Sequence, residues 1–362
     1  LIMTQMDHIY GIEKFQGKDT VHLQAGAVLG PVTDYLAEKG FSLGMAVMGF
    51  RGVTIGGAIG TGSHGSSPKH SAVISSLVES IGLIDGNGKY FEHTKLNTPE
   101  DEWKALTAHL GLLGIITDIR LRVEPQFNLD VHVSYHNAQK ITHGNGLIDE
   151  VKNCDYALIN WFPGTGEYVK TCGVKTNQKP ALGAKNILLS PRIPKSLTSN
   201  FKRALQMGAC FNTLNCLVEK ARLIHLKLDP PFRYTENNKE VKAYHIVGPS
   251  HKMISSDLTD QQTGLTQMDW EIAIPASKLS AAMNELGQFV KNKKICLPLV
   301  GVFIRFALSE NKTLIAHTVS VKGFKENELV AFIEMPIFLP AGFEENAKFE
   351  HEKNFYEFAK LL

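Results

Sequence analysis

The stretch that decides the fold is Val53-Thr54-Ile55-Gly56-Gly57-Ala58-Ile59-Gly60-Thr61-Gly62-Ser63-His64-Gly65-Ser66-Ser67. Glycines without a Cβ let backbone N–H groups approach a phosphate closely. Thr61, Ser63 and Ser66 add hydroxyl donors, so the loop suits a pyrophosphate. Gly60, Gly62 and Gly65 also spell GxGxxG, with Glu79 about 20 residues on, as in a nicotinamide fingerprint. Two features point away from that fingerprint. Ser67-Pro68 places the next helix start after the glycine run, and the following strand leads into Asp85-Gly86-Asn87-Gly88, a hairpin signal instead of a βαβ crossover. Spacing alone also leaves open a glycine-rich turn with no ligand.

Working outward, Val53 to Ile59 reads as an apolar strand entering the glycines. Upstream, Thr20 to Gln24 reads as a strand, and Pro31 to Gly40 brackets a helix with Val32, Tyr35 and Leu36 on one face. Downstream, Leu77 to Ile84 and Tyr90 to Glu92 flank the hairpin. Asp101 to Leu113 reads as a helix ended by Gly114, with Asp101 and Glu102 at the positive end of its dipole. Ile119, Leu121 and Val123 alternate with arginines as a half-buried strand.

Pro125 is the best domain boundary, giving residues 1–125 and 126–362. Beyond it, Leu129 to Tyr135 alternates, and Tyr156 to Phe162 and Tyr168 to Thr171 bracket a second hairpin at Pro163-Gly164-Thr165-Gly166. Ser196 to Leu228 reads as helical, as does the stretch after Ser277, where Leu279, Met283, Leu286 and Val290 share one side. Gln267 to Ile274, Leu299 to Leu308, Leu314 to Ser320 and Leu329 to Phe338 read as strands, and a charged helix follows Gly342. Strand runs and hairpins interleaved with helices indicate an α+β fold.

The 362 residues are 43% hydrophobic and 20% charged, with a formal net charge of +2, so a normal core is expected and no nucleic-acid or anionic membrane surface. No apolar run is long enough to span a bilayer, and Leu182 to Leu189 is broken by Gly183, Lys185 and Asn186. Cys154, Cys172, Cys210, Cys216 and Cys296 are odd in number and lack CxxC spacing; free, mostly buried thiols in a reducing compartment are expected. His132 and His136 fall on one strand face without a third ligand nearby, so no metal is expected there. Ser66 lacks a GxSxG context for a nucleophile. Trp161, Phe162 and Trp270 read as core aromatics before pocket ones.

The run from Gln24-Ala25-Gly26-Ala27 through Leu36, Gly40 and Gly56-Gly57 to Gly60-Thr61-Gly62-Ser63-His64-Gly65 is similar in order and spacing to the second half of the FAD domain of aldonolactone oxidases. So is His109-Leu110-Gly111-Leu112-Leu113-Gly114-Ile115-Ile116-Thr117, followed by Glu124-Pro125-Gln126-Phe127. The chain thus resembles the vanillyl-alcohol-oxidase (PCMH-type) FAD proteins and, among them, the sugar-lactone oxidases. The resemblance covers about residues 10 to 130 well and is looser at Trp161-Phe162-Pro163, Trp270 to Pro275 and Arg305. It implies a PCMH-type FAD-binding domain with an α+β cap domain for substrate. It implies that Thr54, Gly57, Gly60, Thr61, Gly62, His64 and Gly65 contact FAD, with Ile116 meeting it through its backbone. It further implies hydride transfer to flavin N5 from a CH–OH of a sugar lactone or polyol, with oxygen or another electron acceptor. Arg305, in Gly301-Val302-Phe303-Ile304-Arg305-Phe306, matches the strand arginine that offsets negative charge near flavin N1 and C2=O. Alternation puts Arg305 on one face with Phe303, opposite Val302, Ile304 and Phe306. Membrane association is implied by the resemblance only.

Four departures from that pattern stand out. Phe303 occupies the position where many relatives carry a substrate-binding Glu. The phosphate loop with its flavin-linked histidine would precede Leu1, and a His-Trp-x-Lys motif would follow Leu362; any FAD is then expected to be non-covalent, and the chain reads as an incomplete copy. Met48 lies where a small residue usually adjoins the flavin, which weighs against oxygen as the acceptor. The alternative expectation is a catalytically silent, FAD-free relative with a binding or structural role.

Overall fold

A computed structural model describes residues 5–47, 49–142, 146–188, 212–255, 265–293, 296, 301–314 and 325–340, together with 353, 356, 357 and 360. The first part runs β1 Ile9–Phe15, β2 Lys18–Gln24, α1 Leu29–Glu38, β3 Phe41–Ser42, α2 Ile55–Gly60, β4 Val78–Ile84, β5 Tyr90–Thr94, α3 Glu100–Leu106, β6 Ile115–Arg122 and β7 Glu124–Pro125. The next part holds β8 Asn128–Asn137, α4 Gln139–Thr142, α5 Gly146–Val151, β9 Tyr156–Phe162, β10 Glu167–Thr176, β11 Lys185–Asn186 and α6 Asn212–Leu228. Then follow β12 Phe232–Glu236, β13 Lys239–Ala243, β14 His245–Pro249, α7 Ser250–Ile254, β15 Leu265–Pro275, α8 Leu279–Lys293, β16 Val302–Leu308 and β17 Leu329–Pro340. The fold is mixed α+β.

Two sheets carry the architecture. A five-stranded sheet is ordered β1-β2-β6-β4-β5, and a seven-stranded sheet β14-β8-β10-β9-β16-β17-β15. Every strand pairing among the described residues is antiparallel, including β4 with both β5 and β6. That removes the nicotinamide reading, which needs a parallel partner after the glycine loop. The Asp85 hairpin forms as its sequence demands: Gly88 N donates to Asp85 O, and Asp85 Oδ1 accepts from Asn87 N and Lys89 N.

One face of the seven-stranded sheet buries Val302, Ile304, Phe306 and Ile333 against Leu279, Met283, Leu286 and Val290 of α8. The other face turns toward the glycine-loop segment. Strand alternation therefore sends Phe303 and Arg305 to that second face, as the sequence implies. The two sheets are joined by hydrogen bonds along one strand: Ser67 N donates to Phe306 O at 2.7 Å, and Phe306 N donates to Ser66 Oγ at 3.1 Å. A second link is ionic. Asp34 on α1 meets Arg51 at 2.6 Å, Lys252 of α7 at 2.8 Å and His251 at 3.3 Å. Partial burial opposes ionisation of Asp34, but hydrogen bonds from Lys252 and Arg51 outweigh it and hold the carboxyl below its usual range.

Several expectations need correction. Val53 to Ile59 is not a strand: Thr54 caps a short helix, its hydroxyl accepting from Gly57 N. Six apolar and glycine residues fit a strand run as well as two helical turns, and only the cap distinguishes them. No helix opens at Ser67-Pro68. The helix expected to reach Leu113 ends at Leu106 with Thr107 as its C-cap; beyond it Leu110 and Gly111 adopt positive φ (53° and 76°) and His109 Nδ1 accepts from Gly111 N, so no helix resumes before Leu113. Four of the five cysteines are not free thiols: Cys154 pairs with Cys172 and Cys216 with Cys296, at Cα–Cα distances of 5.4 and 5.0 Å. Their separations of 18 and 80 residues carry no local motif, so only the fold brings them together, and the basis for a reducing compartment falls away. The helix expected over Ser196 to Leu228 is described from Asn212 on; Cys210, the strand Leu314 to Ser320 and the helix after Gly342 lie largely outside the described residues.

Candidate functional site

Strands β16, β17 and β15 lie side by side, and their register builds the site. Phe303 pairs with Glu334, which pairs with Glu271; one step along, Arg305 pairs with Phe332, which pairs with Ala273. Facing and diagonal neighbours on one sheet face are within reach of long side chains. Arg305 Nη2 thus sits 2.7 Å from Glu271 Oε1 and 2.7 Å from Glu334 Oε2. Its Nη1 donates to His64 O at 3.3 Å. His64 stacks on Phe332 with ring centroids 3.8 Å apart and places Nε2 3.0 Å from Glu271 Oε2.

Phe303 itself offers no carboxylate, but the neighbouring strands bring Glu334 and Glu271 to Arg305, two residues that sequence reasoning missed. The signal was clearest at Glu334, a lone carboxylate within Phe332-Ile333-Glu334-Met335; Glu271, two positions after Asp269, leads the apolar run Ile272-Ala273-Ile274. Carboxylates are rarely buried unless paired, so such positions ask for a partner.

Two carboxylates thus meet one guanidinium. Burial pushes the His64 imidazole below its usual range; Glu271 pulls it back up, and the positive charge of Arg305 adds to the lowering. The imidazole Nδ1 lies 2.8 Å from Gly65 O while Nε2 faces Glu271, so both ring nitrogens meet oxygen acceptors. A neutral imidazole has one N–H for these two contacts. Both contacts are satisfied at once only when one further proton is shared between His64 and Glu271, which burial of the ring opposes.

The glycine loop turns around this cluster. Thr61 Oγ1 donates to Gly57 O at 3.0 Å and lies 3.1 Å from Ser63 Oγ, which gathers hydroxyls on an exposed rim beside Thr54 and Gly57. Gly62 takes φ 68°, a conformation that favours glycine. At Gly65 a Cβ would collide with the carbonyl oxygens of Met45 and Val47. Gly65→Ala is expected to cost about 1–3 kcal/mol of stability, as overpacking does, read as a lower urea midpoint. Of the residues singled out from sequence, His64 and Arg305 come together; Thr54, Gly57, Thr61 and Gly62 form the rim beside them. Ile116 sits apart in β6, its side chain buried and its strand partner Leu83. Met48 lies outside the described residues.

The rim fits a dinucleotide on two observations. A Cβ placed at Gly60 would meet nothing within 4 Å, so the backbone there borders open space. Leu110, whose N–H donates to Gly60 O at 2.8 Å, begins a loop that exposes Leu110, Leu112, Leu113 and Ile115. Contiguous exposed apolar groups beside a polar cradle mark a binding face.

Comparison with known proteins bears on what binds. Residues 1–94 match the family described as FAD binding domain. This part of the chain is an FAD-binding domain. FAD is its cofactor. The chain is 31% identical over 162 residues to the D-arabinono-1,4-lactone oxidase of Candida glabrata, covering 44% of this chain and 29% of that protein. It is 28% identical over 179 residues to the L-gulonolactone oxidase of Mus musculus, covering 49% of this chain and 39% of that one. The chain thus matches well under half the length of these curated relatives. In fold, it is similar to a solvent-stable cholesterol oxidase, with a TM-score of 0.72 at 16% identity over 98% of this chain and 70% of the other. A cholesterol oxidase from B. sterolicum gives a TM-score of 0.66 at 17% identity over 95% of this chain and 68% of the other. Beside the FAD-binding domain, the Arg305–Glu271–Glu334–His64 cluster is held by the seven-stranded sheet. Among the described residues no helix is long and apolar enough to cross a membrane.

Proposed function

We propose that the chain acts as an FAD-dependent oxidoreductase on a CH–OH group of a sugar lactone or polyol, with residues 1–125 forming the FAD part and residues 126–362 the substrate part. The observation that carries this reading is the ion cluster of Arg305, Glu271, Glu334 and His64 beside the glycine loop. FAD, when bound, supplies the acceptor for the hydride from the hydroxyl-bearing carbon. Thr54, Gly57, Gly60, Thr61, Gly62, His64 and Gly65 are the residues proposed to hold it, with the backbone of Ile116.

The protein's own part is proton and charge management. Glu271 takes the hydroxyl proton as the C–H bond breaks, and its contact with His64 holds that proton inside the site. Arg305 stays ionised throughout, because guanidinium groups do not lose their proton in proteins. It keeps Glu271 and Glu334 at fixed positions and supplies the cation that offsets charge developing in the site. Glu334, a buried acceptor on the same face, is placed to bind substrate hydroxyls. Oxygen or another acceptor then takes the electrons.

The silent, FAD-free alternative is favoured by one observation: Phe303 offers no carboxylate two residues before Arg305. Loading with FAD separates the two readings. After incubation with FAD and gel filtration, the protein peak is expected to carry flavin absorbance that denaturation releases; a colourless peak supports the alternative. Gly60→Ala tests the cradle, since the added Cβ meets nothing within 4 Å in the fold and would stand where a ligand approaches. It is expected to weaken FAD binding by about tenfold or more, about 1.4 kcal/mol, with an unchanged melting temperature in the absence of FAD.

A further inference from the structure

A second constellation lies at the far end of the seven-stranded sheet, on its edge strand. His132 of β8 and His245 of β14 are direct register partners. Val131, Val133 and Ile246 turn into the core, so the two histidines turn outward, each with 56% of its side chain exposed. Their rings stack at 3.7 Å between centroids, 13° from parallel. Both Nε2 atoms converge on one oxygen, Asp130 Oδ1, at 3.3 Å from His132 and 2.5 Å from His245. The partner of His132 is thus His245, across the sheet; His136 is engaged with Ser134 at 2.8 Å and stacks on Tyr168.

We propose that Asp130, His132 and His245 form a binding site for a divalent first-row transition cation, with zinc the best match. The three ligand atoms all lie within 4.8 Å of one another. A tetrahedral zinc ion bound at about 2.0–2.2 Å to nitrogen and oxygen spaces its ligands about 3.3 Å apart. The Asp130–His132 distance of 3.3 Å matches that value and the Asp130–His245 distance of 2.5 Å lies below it, so a small side-chain rotation that opens the second contact admits the ion. Two imidazole nitrogens and a carboxylate suit zinc, copper or nickel better than calcium or magnesium, which prefer oxygen. The exposed side leaves the fourth position to water. Two imidazoles this close repel when both are protonated, whereas an ion seated at their Nε2 edges beside Asp130 Oδ1 takes an in-plane lone pair from each as the rings tilt toward it.

The site would pin β14 to β8. Strand β14 runs directly into α7, whose His251 and Lys252 reach Asp34 on α1. Metal binding would therefore stiffen the edge from which the second sheet grips the FAD-binding domain.

The test is calorimetric titration of zinc chloride into the untagged chain, with thermal melting alongside. Saturable binding of one ion is expected, with a melting temperature that rises with zinc. His132→Ala and His245→Ala should each weaken binding by more than about tenfold, at least the loss that second-shell changes cause at metal sites. Asp130→Asn, which keeps the side chain's shape, should weaken it as well. His136→Ala should leave it intact. Absence of saturable binding, or binding that survives both His132→Ala and His245→Ala, overturns the proposal.

Discussion

Glu271→Gln lowers kcat by about 10²- to 10⁴-fold, the range expected when a positioned general base is removed. The amide keeps the shape of the carboxylate and can still accept from Arg305 Nη2, now 2.7 Å from Glu271 Oε1. What it cannot do is take a proton or share one with His64. The loss should therefore fall on kcat and kcat/KM together, with FAD binding unchanged, which is the signature of an interaction used only in the transition state. The acidic limb of the kcat/KM profile, which reports ionisation of the essential base, should disappear with it. A variant that loses affinity for substrate but keeps kcat would make Glu271 a binding residue and leave the proton without an acceptor in this account.

Arg305→Met is the substitution expected to cost most in stability. It leaves Glu271 and Glu334, paired across neighbouring strands and 14% and 8% exposed at their side chains, facing each other without their cation. Breaking a buried pair by removing one partner costs about 3–5 kcal/mol. The pH dependence has a definite sign. Like charge and burial raise a carboxylate's pKa in the folded variant above its unfolded value of about 4.3. Such a group contributes stability below the unfolded pKa and loses it as pH rises through the folded pKa. The variant should thus melt far below the parent at pH 7 and approach it as pH falls toward about 4. Arg305→Lys restores charge but not the planar fork that meets two carboxylates at once, so it should recover part of the stability. Equal melting temperatures of parent and Arg305→Met at neutral pH would show the carboxylates to be held by other groups.

How far sequence reaches into this fold depends on whether the deciding contact is local. The hairpin at Asp85-Gly88 and the buried face of α8 were legible, because turn chemistry and helical spacing act over a few residues. The shared face of Phe303 and Arg305 was legible too, since alternation along a strand settles it. The identity of Arg305's partners was not. Glu271 lies 34 residues away and Glu334 on a third strand, and their meeting depends on the register of β15 and β17. The same holds for His64 and Glu271, separated by 207 residues, and for both disulfides. Residues 53–59 failed for a different reason: an apolar, glycine-rich heptamer matches two periods equally, and the Thr54 cap decided the outcome. Asp101 to Leu113 kept its apolar spacing past Leu106, but the helix ends there at a Thr107 cap, and Leu110 and Gly111 beyond it turn left-handed.

The proposed activity is oxidation of a carbon bearing a hydroxyl, with bound FAD taking the hydride and Glu271 the proton. Its most direct test is an anaerobic spectrum of the FAD-loaded chain during addition of aldonolactones and polyols. The account predicts that at least one of them bleaches the oxidised flavin band stoichiometrically, and that Glu271→Gln, loaded equally with FAD, bleaches at least about a hundredfold more slowly. A flavin band that stays unchanged with every lactone and polyol, or bleaching as fast in Glu271→Gln as in the parent, would contradict it.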